Sequence, residues 1–198
     1  MNKKGCLIAG IGIVAIILFF VLYLVGVYNS MVEKEQFVKQ KWSQVENQYQ
    51  RRADLIPNLV NTVKGYAKHE KETLTEVVEA RSKATAVNID PTKLSPEAIK
   101  QFQAAQDGLS QALSKLMVVV ERYPDLKANE NFMQLQAQLE GTENRIAVER
   151  KRYNEAVQEY NTYLMKFPTN IFARMFGFHE YPYFEAEKGA EKAPEVKF

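Results

Sequence analysis

The stretch LIAGIGIVAIILFFVLYLVGV, residues 7–27, decides the architecture because it contains no charged residue. At ~1.5 Å per residue, a helix of about 21 residues covers the ~30 Å hydrocarbon core of a bilayer. Such a helix satisfies its own backbone amides and carbonyls, which lipid cannot do for it. The competing reading is a cleaved signal peptide. Its apolar run is typically ~7–15 residues long, and no A-x-A-like site follows this stretch. A lipoprotein reading of Cys6 also fails, since no apolar segment precedes that residue. The expectation is a retained transmembrane helix with the lipid bilayer as its partner.

Two charge clusters flank the span and oppose each other. Lys3, Lys4 and the free amine favour a cytoplasmic N terminus, whereas Lys34, Lys39 and Lys41 favour the reverse. Glu33 and Glu35 weigh little in this rule. The membrane face that carries the rest of the chain stays open. Gly10, Gly12 and Ala15 are small enough for helices to approach, but they form no strict G-x-x-x-G and read as incidental.

Beyond the span the 198-residue chain has room for one domain. Its 26 Lys and Arg are interspersed among 24 Asp and Glu. That balance makes no basic face, so nucleic acid is not an expected partner. Cys6 is the only cysteine, which excludes a disulfide or a thiolate metal site in the domain. No cofactor is expected either.

Apolar residues keep a helical beat from Phe37, Trp42, Val45 and Tyr49 to Ile56, Val60, Val63, Ala67, Leu74, Val77 and Val78. No turn signal separates this run from the membrane helix. Pro57 lacks a backbone donor and crowds the preceding turn, so a kink or break is predicted there, with Gly65 as a second weak point. Residues 86–97, AVNIDPTKLSPE, read as a connection. Ser95 is placed to cap the next helix, with Pro96 and Glu97 in its first turn. That helix carries Ile99, Phe102, Leu109, Leu113, Met117 and Val120 and stops near Tyr123-Pro124-Asp125. The last long helix carries Phe132, Leu135, Leu139, Ile146, Tyr153, Val157, Tyr160, Leu164 and Phe167 before Pro168, with polar groups at the interrupted beats near 142 and 150. Short connections favour antiparallel neighbours within one chain over an intermolecular coiled coil.

Charges interleave with apolar positions in QRRADLIPNLV, residues 50–60. The functional reading is a recognition site built from Arg51, Arg52, Asp54 and Asn58. The favoured reading is structural: an internal polar network pairing these groups with Glu140, Glu143 and Glu149 of the last helix. His69-Glu70 invites a metal or proton-transfer reading, yet neighbouring helical residues diverge and no H-E-x-x-H is formed. Serine-nucleophile and phosphate-loop signatures are absent. No catalytic, cofactor-binding or metal-binding residue is therefore assigned.

The segment FPTNIFARMFGFHEYPYF, residues 167–184, is dense in aromatics. Ile171, Phe172, Met175 and Phe176 would share one face of a short helix, with Gly177 as its stop. Three roles are open: a cap over the end of the bundle, an anchor lying in the bilayer interface, or a docking surface between subunits. Phe172, Met175, Phe176, Phe178 and Tyr183 are the candidate interaction residues. From residue 185 the charged tail lacks core residues until Phe198 and is expected to be disordered.

Taken together, these stretches resemble the LemA family of bacterial membrane proteins from the membrane helix to about Phe184. The resemblance rests on Tyr28-Asn29, Trp42, RRADLIPNLV at 51–60, Val63, GYAKHE at 65–70 and Ala80-Arg81. It continues through LQAQLEGTENRIAVERKRYN at 135–154, EYN at 159–161 and FP at 167–168. It implies one N-terminal transmembrane helix, an antiparallel helical bundle and no catalytic residues to carry over. It also implies a short extracellular N terminus with the domain inside the cell, against the slight lean of the charges.

The expected fold is all-α: a tail at 1–6, a transmembrane helix at 7–28 and an antiparallel bundle at 29–167. This bundle has four segments, the first pair broken near Pro57, followed by the aromatic segment at 168–184 and the tail at 185–198. The expected role is a non-enzymatic scaffold of the bacterial cell membrane with protein partners or self-association. The alternative is a membrane-tethered sensor hinged at Pro57.

Overall fold

The computed structural model describes residues 3–185. The remainder of the charged tail lies outside the described residues. Among the described residues every regular element is helical: α1 Lys3–Tyr66, α2 Lys71–Ala86, α3 Pro96–Val120, α4 Pro124–Lys127, α5 Glu130–Met165 and α6 Thr169–Phe176. The fold is all-α, as periodicity and composition imply. By length and composition α1 is sufficient to cross a membrane.

The expected break near Pro57 is not there. Helix α1 runs through Pro57 and ends at Tyr66. An internal proline removes one bond to the residue four positions earlier and costs a helix ~3 kcal/mol. The stranded acceptor is the Ala53 carbonyl, and Arg81 Nε donates to it at 2.7 Å. A side chain from α2 thus supplies the donor that Pro57 lacks, and the helix continues. The chain leaves the helix just past Gly65 instead. There the Ala67 amide still bonds the Val63 carbonyl, and the Glu70 amide closes a tight turn on Ala67 at 3.1 Å.

Two compact units are distinguished. The smaller joins α1 up to Val38 with residues Ala156–Glu180; the larger comprises Lys39–Glu155 and the segment from Tyr181.

In the larger unit, Trp42, Val45, Tyr49, Ile56, Leu59 and Val63 form a buried stripe along α1, at steps of three, four or seven. Four long helices feed one core, represented by Ile56 and Leu59 of α1, Val77 of α2, Leu116 of α3, and Phe132 and Leu139 of α5. Fully burying each such side chain contributes ~1.5–3 kcal/mol before conformational entropy is subtracted. Cross-helix partners fix direction. Trp42 meets Tyr153, Arg52 meets Glu143, and Tyr66 meets Asn129, so numbers fall along α5 as they rise along α1. The pairs Glu76 with Lys115 and Ala84 with Gln106 do the same for α2 and α3. Both pairs of helices are antiparallel.

The connection after α2 is pinned by buried Ile89 and Leu94. Asp90 turns it by accepting from the Thr92 amide at 2.9 Å and hydroxyl at 2.7 Å, and these bonds hold the carboxyl below the usual carboxylate range. Ser95 Oγ then accepts from the Ala98 amide at 3.1 Å, capping α3 with Pro96 and Glu97 in its first turn. The short α4 has no strong periodic signal in the sequence; buried Leu126 ties it to the core.

In the smaller unit, most described apolar side chains of the span face outward, among them Ile11, Ile16, Phe19 and Leu22, while Val27 at its end is buried. Farther along α1, Lys34 pairs with Glu159 and lies 5.6 Å from the Tyr163 ring centre. Helix α6 stops at Gly177, whose φ of 79° is a left-handed conformation that costs glycine little. The Phe178 amide bonds back to the Ala173 carbonyl at 2.9 Å, completing the cap.

Candidate functional site

Arg52 occupies a position on the buried stripe of α1 where an apolar residue would be ordinary, and it is only 2% exposed. A buried guanidinium is costly unless its donors and charge are matched. Nη1 donates to Ser110 Oγ at 3.0 Å and to both Glu143 oxygens, the nearer at 2.9 Å. Nη2 donates to Gln106 Oε1 at 2.7 Å and to the Gln106 carbonyl at 3.3 Å. The guanidinium carbon also lies 5.2 Å from the Tyr49 ring centre. Gln106 extends the network by donating from Nε2 to the Ala84 carbonyl at the end of α2. Arg81 adds the bond to Ala53, the residue beside Arg52. These bonds tie α1, α2, α3 and α5 at one level of the larger unit.

Of the seven residues grouped by the sequence, the structure brings together Arg52 and Glu143. Arg51 and Asn58 are exposed on α1. Asp54 accepts from Gln50 and Glu140 from Gln136, each within its own helix. Glu149 pairs with Arg152 one turn away. None of these five bonds to Arg52; four are exposed, and the Glu149 side chain is largely buried. The reason is rotational: the residues of 50–60 spread around the whole helix, and the stripe that turns inward passes through Arg52 alone among the charges. Gln106, Ser110 and Arg81 were not in the sequence grouping. Gln106 interrupts the apolar beat of α3 between Phe102 and Leu109, a signal that was available.

His69 is exposed in the turn between α1 and α2. Its neighbour Glu70 accepts from Tyr123 Oη at 3.0 Å and pairs with Arg122, fastening that turn to the end of α3. Beside the arginine network a cleft of about 270 Å³ is lined by Glu46, Tyr49, Gln50, Asn88, Phe102 and Gln106, among others. Burial pushes the Glu46 carboxyl above the usual carboxylate range. Among the described residues Glu46 is the only carboxylate lining this cleft, and no histidine or cysteine lines it. A paired acid and base are missing there.

The aromatic segment divides between the two units. In the smaller, Phe176 and Phe178 meet Tyr28 edge to face, with ring centres 5.2 and 5.8 Å away. Phe172 is half-buried and Met175 exposed, so the four apolar residues of α6 do not share one environment. In the larger, Phe184 stacks on Trp42 at 5.6 Å and meets Tyr153 edge to face at 5.3 Å. Asn154 grips the Phe184 backbone twice, accepting from its amide at 2.9 Å and donating to its carbonyl at 3.1 Å. Arg150 covers the outer face of the Phe184 ring at 4.9 Å. Tyr183, between these anchors, is exposed.

This arrangement defines a class: all-α bundle proteins with a long apolar N-terminal helix and a buried polar tie between helices. The chain belongs to the LemA family, whose profile matches residues 41–198. It is 30% identical to magnetosome protein MamQ 2 of Paramagnetospirillum magneticum over 192 residues, covering 88% of this chain and 70% of that protein. It is 27% identical to protein LemA of Metamycoplasma hominis over 179 residues, covering 87% and 78%. With magnetosome protein MamQ of Magnetospirillum gryphiswaldense the identity is 28% over 206 residues, covering 95% and 75%.

Proposed function

We propose that this protein is a membrane-tethered, non-enzymatic scaffold of the bacterial envelope, presenting a helical bundle to protein partners or to further copies of itself. The observation that carries this reading is α1, whose stretch at residues 7–27 is uncharged and exposes large apolar side chains such as Ile11, Ile16, Phe19 and Leu22, and whose later residues Trp42, Ile56 and Leu59 form the buried stripe of the larger unit. One helix therefore carries both the apolar span and a buried stripe of the core. The charged network around Arg52 supports a structural role, because both terminal nitrogens of its buried guanidinium are bonded to groups of α3 and α5. The cleft beside it holds one carboxylate and no partner group for proton transfer. Relatives named for the magnetosome and relatives named LemA share the chain's sequence across most of its length, in keeping with an architecture reused in different membrane settings.

The sensor reading, with a hinge at Pro57, has less support. Arg81 supplies the missing donor there, so that turn of α1 is held rather than loosened.

Detergent extraction of the intact protein, followed by light scattering and by crosslinking in cells, tests the scaffold. The expected result is a defined oligomer or a reproducible crosslinked partner. A strict monomer that crosslinks to nothing in cells would remove the proposal.

A further inference from the structure

Helix α6 is built inside out. Its small residues Thr169 and Ala173 are buried, while Ile171 and Met175, on the opposite side, are 55% and 62% exposed. Phe167, just before the helix, is 81% exposed and Met165 is exposed as well. A helix packed on a soluble protein ordinarily turns its large apolar residues inward. Contiguous exposed apolar surface of this kind marks a contact with something else.

What that contact is follows from where α6 is held. Tyr28 is the residue immediately after the apolar span, and Phe176 and Phe178 pack directly against its ring. The C-terminal end of α6 is therefore fixed within ~6 Å of the level at which the span ends. The headgroup region on each side of the hydrocarbon is of similar thickness, ~5–8 Å. Along the helix axis Ile171 lies only ~7.5 Å from Phe176, and Met175 is one residue from Phe176, so a helix lying along the boundary keeps Ile171 and Met175 beside the headgroups. The charges agree: Lys166 and Arg174 are exposed beside the apolar face, and among residues 165–180 the sole acidic side chain is Glu180. Apolar residues flanked by cations, with aromatic rings at the rim, suit an anionic bilayer surface.

Resting on the tethered reading above, we infer that α6 lies in the membrane interface and inserts Phe167, Ile171 and Met175 among the lipids, forming a second attachment beside the span. The bilayer is then the occupant of this face, and no second protein covers it.

Spin labels test this in the full chain, reconstituted in vesicles of phosphatidylethanolamine and phosphatidylglycerol. Single cysteines replace Leu18, Gln101, Ile171 or Met175 in a Cys6→Ser background. Collision with oxygen, which concentrates in lipid, is compared with collision with a water-soluble nickel complex. Labels at 171 and 175 are expected to give an oxygen-to-nickel ratio above that at exposed Gln101 and below that at Leu18. A ratio equal to that at 101 places the face in water and overturns the inference. Shielding from both reagents means that protein covers it, which overturns it equally. A water-like ratio at Leu18 would instead remove the anchor itself, separating failure of the tether from failure of the interfacial helix.

Discussion

Arg81 Nε sits 2.7 Å from the Ala53 carbonyl oxygen, the acceptor that Pro57 leaves without its helical donor. The two residues come from different helices, and their bond accounts for a proline inside a long uninterrupted helix. Two further contacts join side chains of different segments, and one half-buried carboxylate stands beside them. Each has a measurable consequence.

Replacing Arg81 with Met removes a charged donor from a carbonyl that has no other. A hydrogen bond to a charged group contributes ~1.5–3 kcal/mol, so denaturation of the detergent-solubilised chain should show a loss of that order. Pro57→Ala restores an amide to the same carbonyl. In that background Arg81→Met should cost clearly less, a positive coupling in a double-mutant cycle. Equal losses in both backgrounds would show that Arg81 acts elsewhere.

Arg52 and Glu143 differ in burial, and their substitutions should differ accordingly. The Glu143 side chain is 54% exposed while that of Arg52 is 3% exposed. Removing one partner of a fully buried pair costs ~3–5 kcal/mol, but water reaches Glu143 and screens the pair. Glu143→Ala is therefore expected to lower stability by ~1–2 kcal/mol, above the ~0–1 kcal/mol of an exposed pair such as Lys115 with Glu76. Arg52→Ala should cost more than Glu143→Ala, because it also strands Gln106 and leaves a cavity. Denaturant titration of the two variants orders them; a reversed order would refute the network as drawn.

Phe184 reports on the C-terminal segment. The chain has a single tryptophan, Trp42, which is fully buried and stacked on that ring. Phe184→Ala should cost ~3–5 kcal/mol, as for a large core side chain. Trp42 emission should shift to longer wavelength as its stacked cover is lost. An unchanged spectrum would mean that the segment does not pack on Trp42 in solution.

Glu46 gives a pH signature. Burial raises its folded pKa, so around and somewhat above the ordinary carboxylate range the folded chain holds the proton more often than the unfolded one. Stability from this group is present at low pH and is lost as pH rises through the folded pKa. Glu46→Gln should consequently stabilise the protein at neutral pH and bring no gain below about pH 4. Melting curves at the two pH values check the sign; a gain confined to acid would contradict it.

The sequence revealed elements whose signals are local. The uncharged run at 7–27, the Ser95 cap and the Gly177 stop each depend on a few consecutive residues. Pro57 misled because its remedy lies on another helix, at Arg81, and no local pattern announces it. The polar network was visible as a patch but not as a set. Choosing among Glu140, Glu143 and Glu149 requires the rotation and register of α5 against α1, because Glu140 and Glu143, three residues apart, lie only ~60° apart around the helix. The aromatic segment looked like one amphipathic unit, whereas Phe176 and Phe184 serve two different compact units.

The tether is tested most directly by recovering the mature protein from cells. Membranes washed with alkaline carbonate should retain it, and its intact mass should include residues 7–27. A freely soluble species beginning downstream of Val27 would contradict the account, because neither the scaffold nor the interfacial helix has a role without the span.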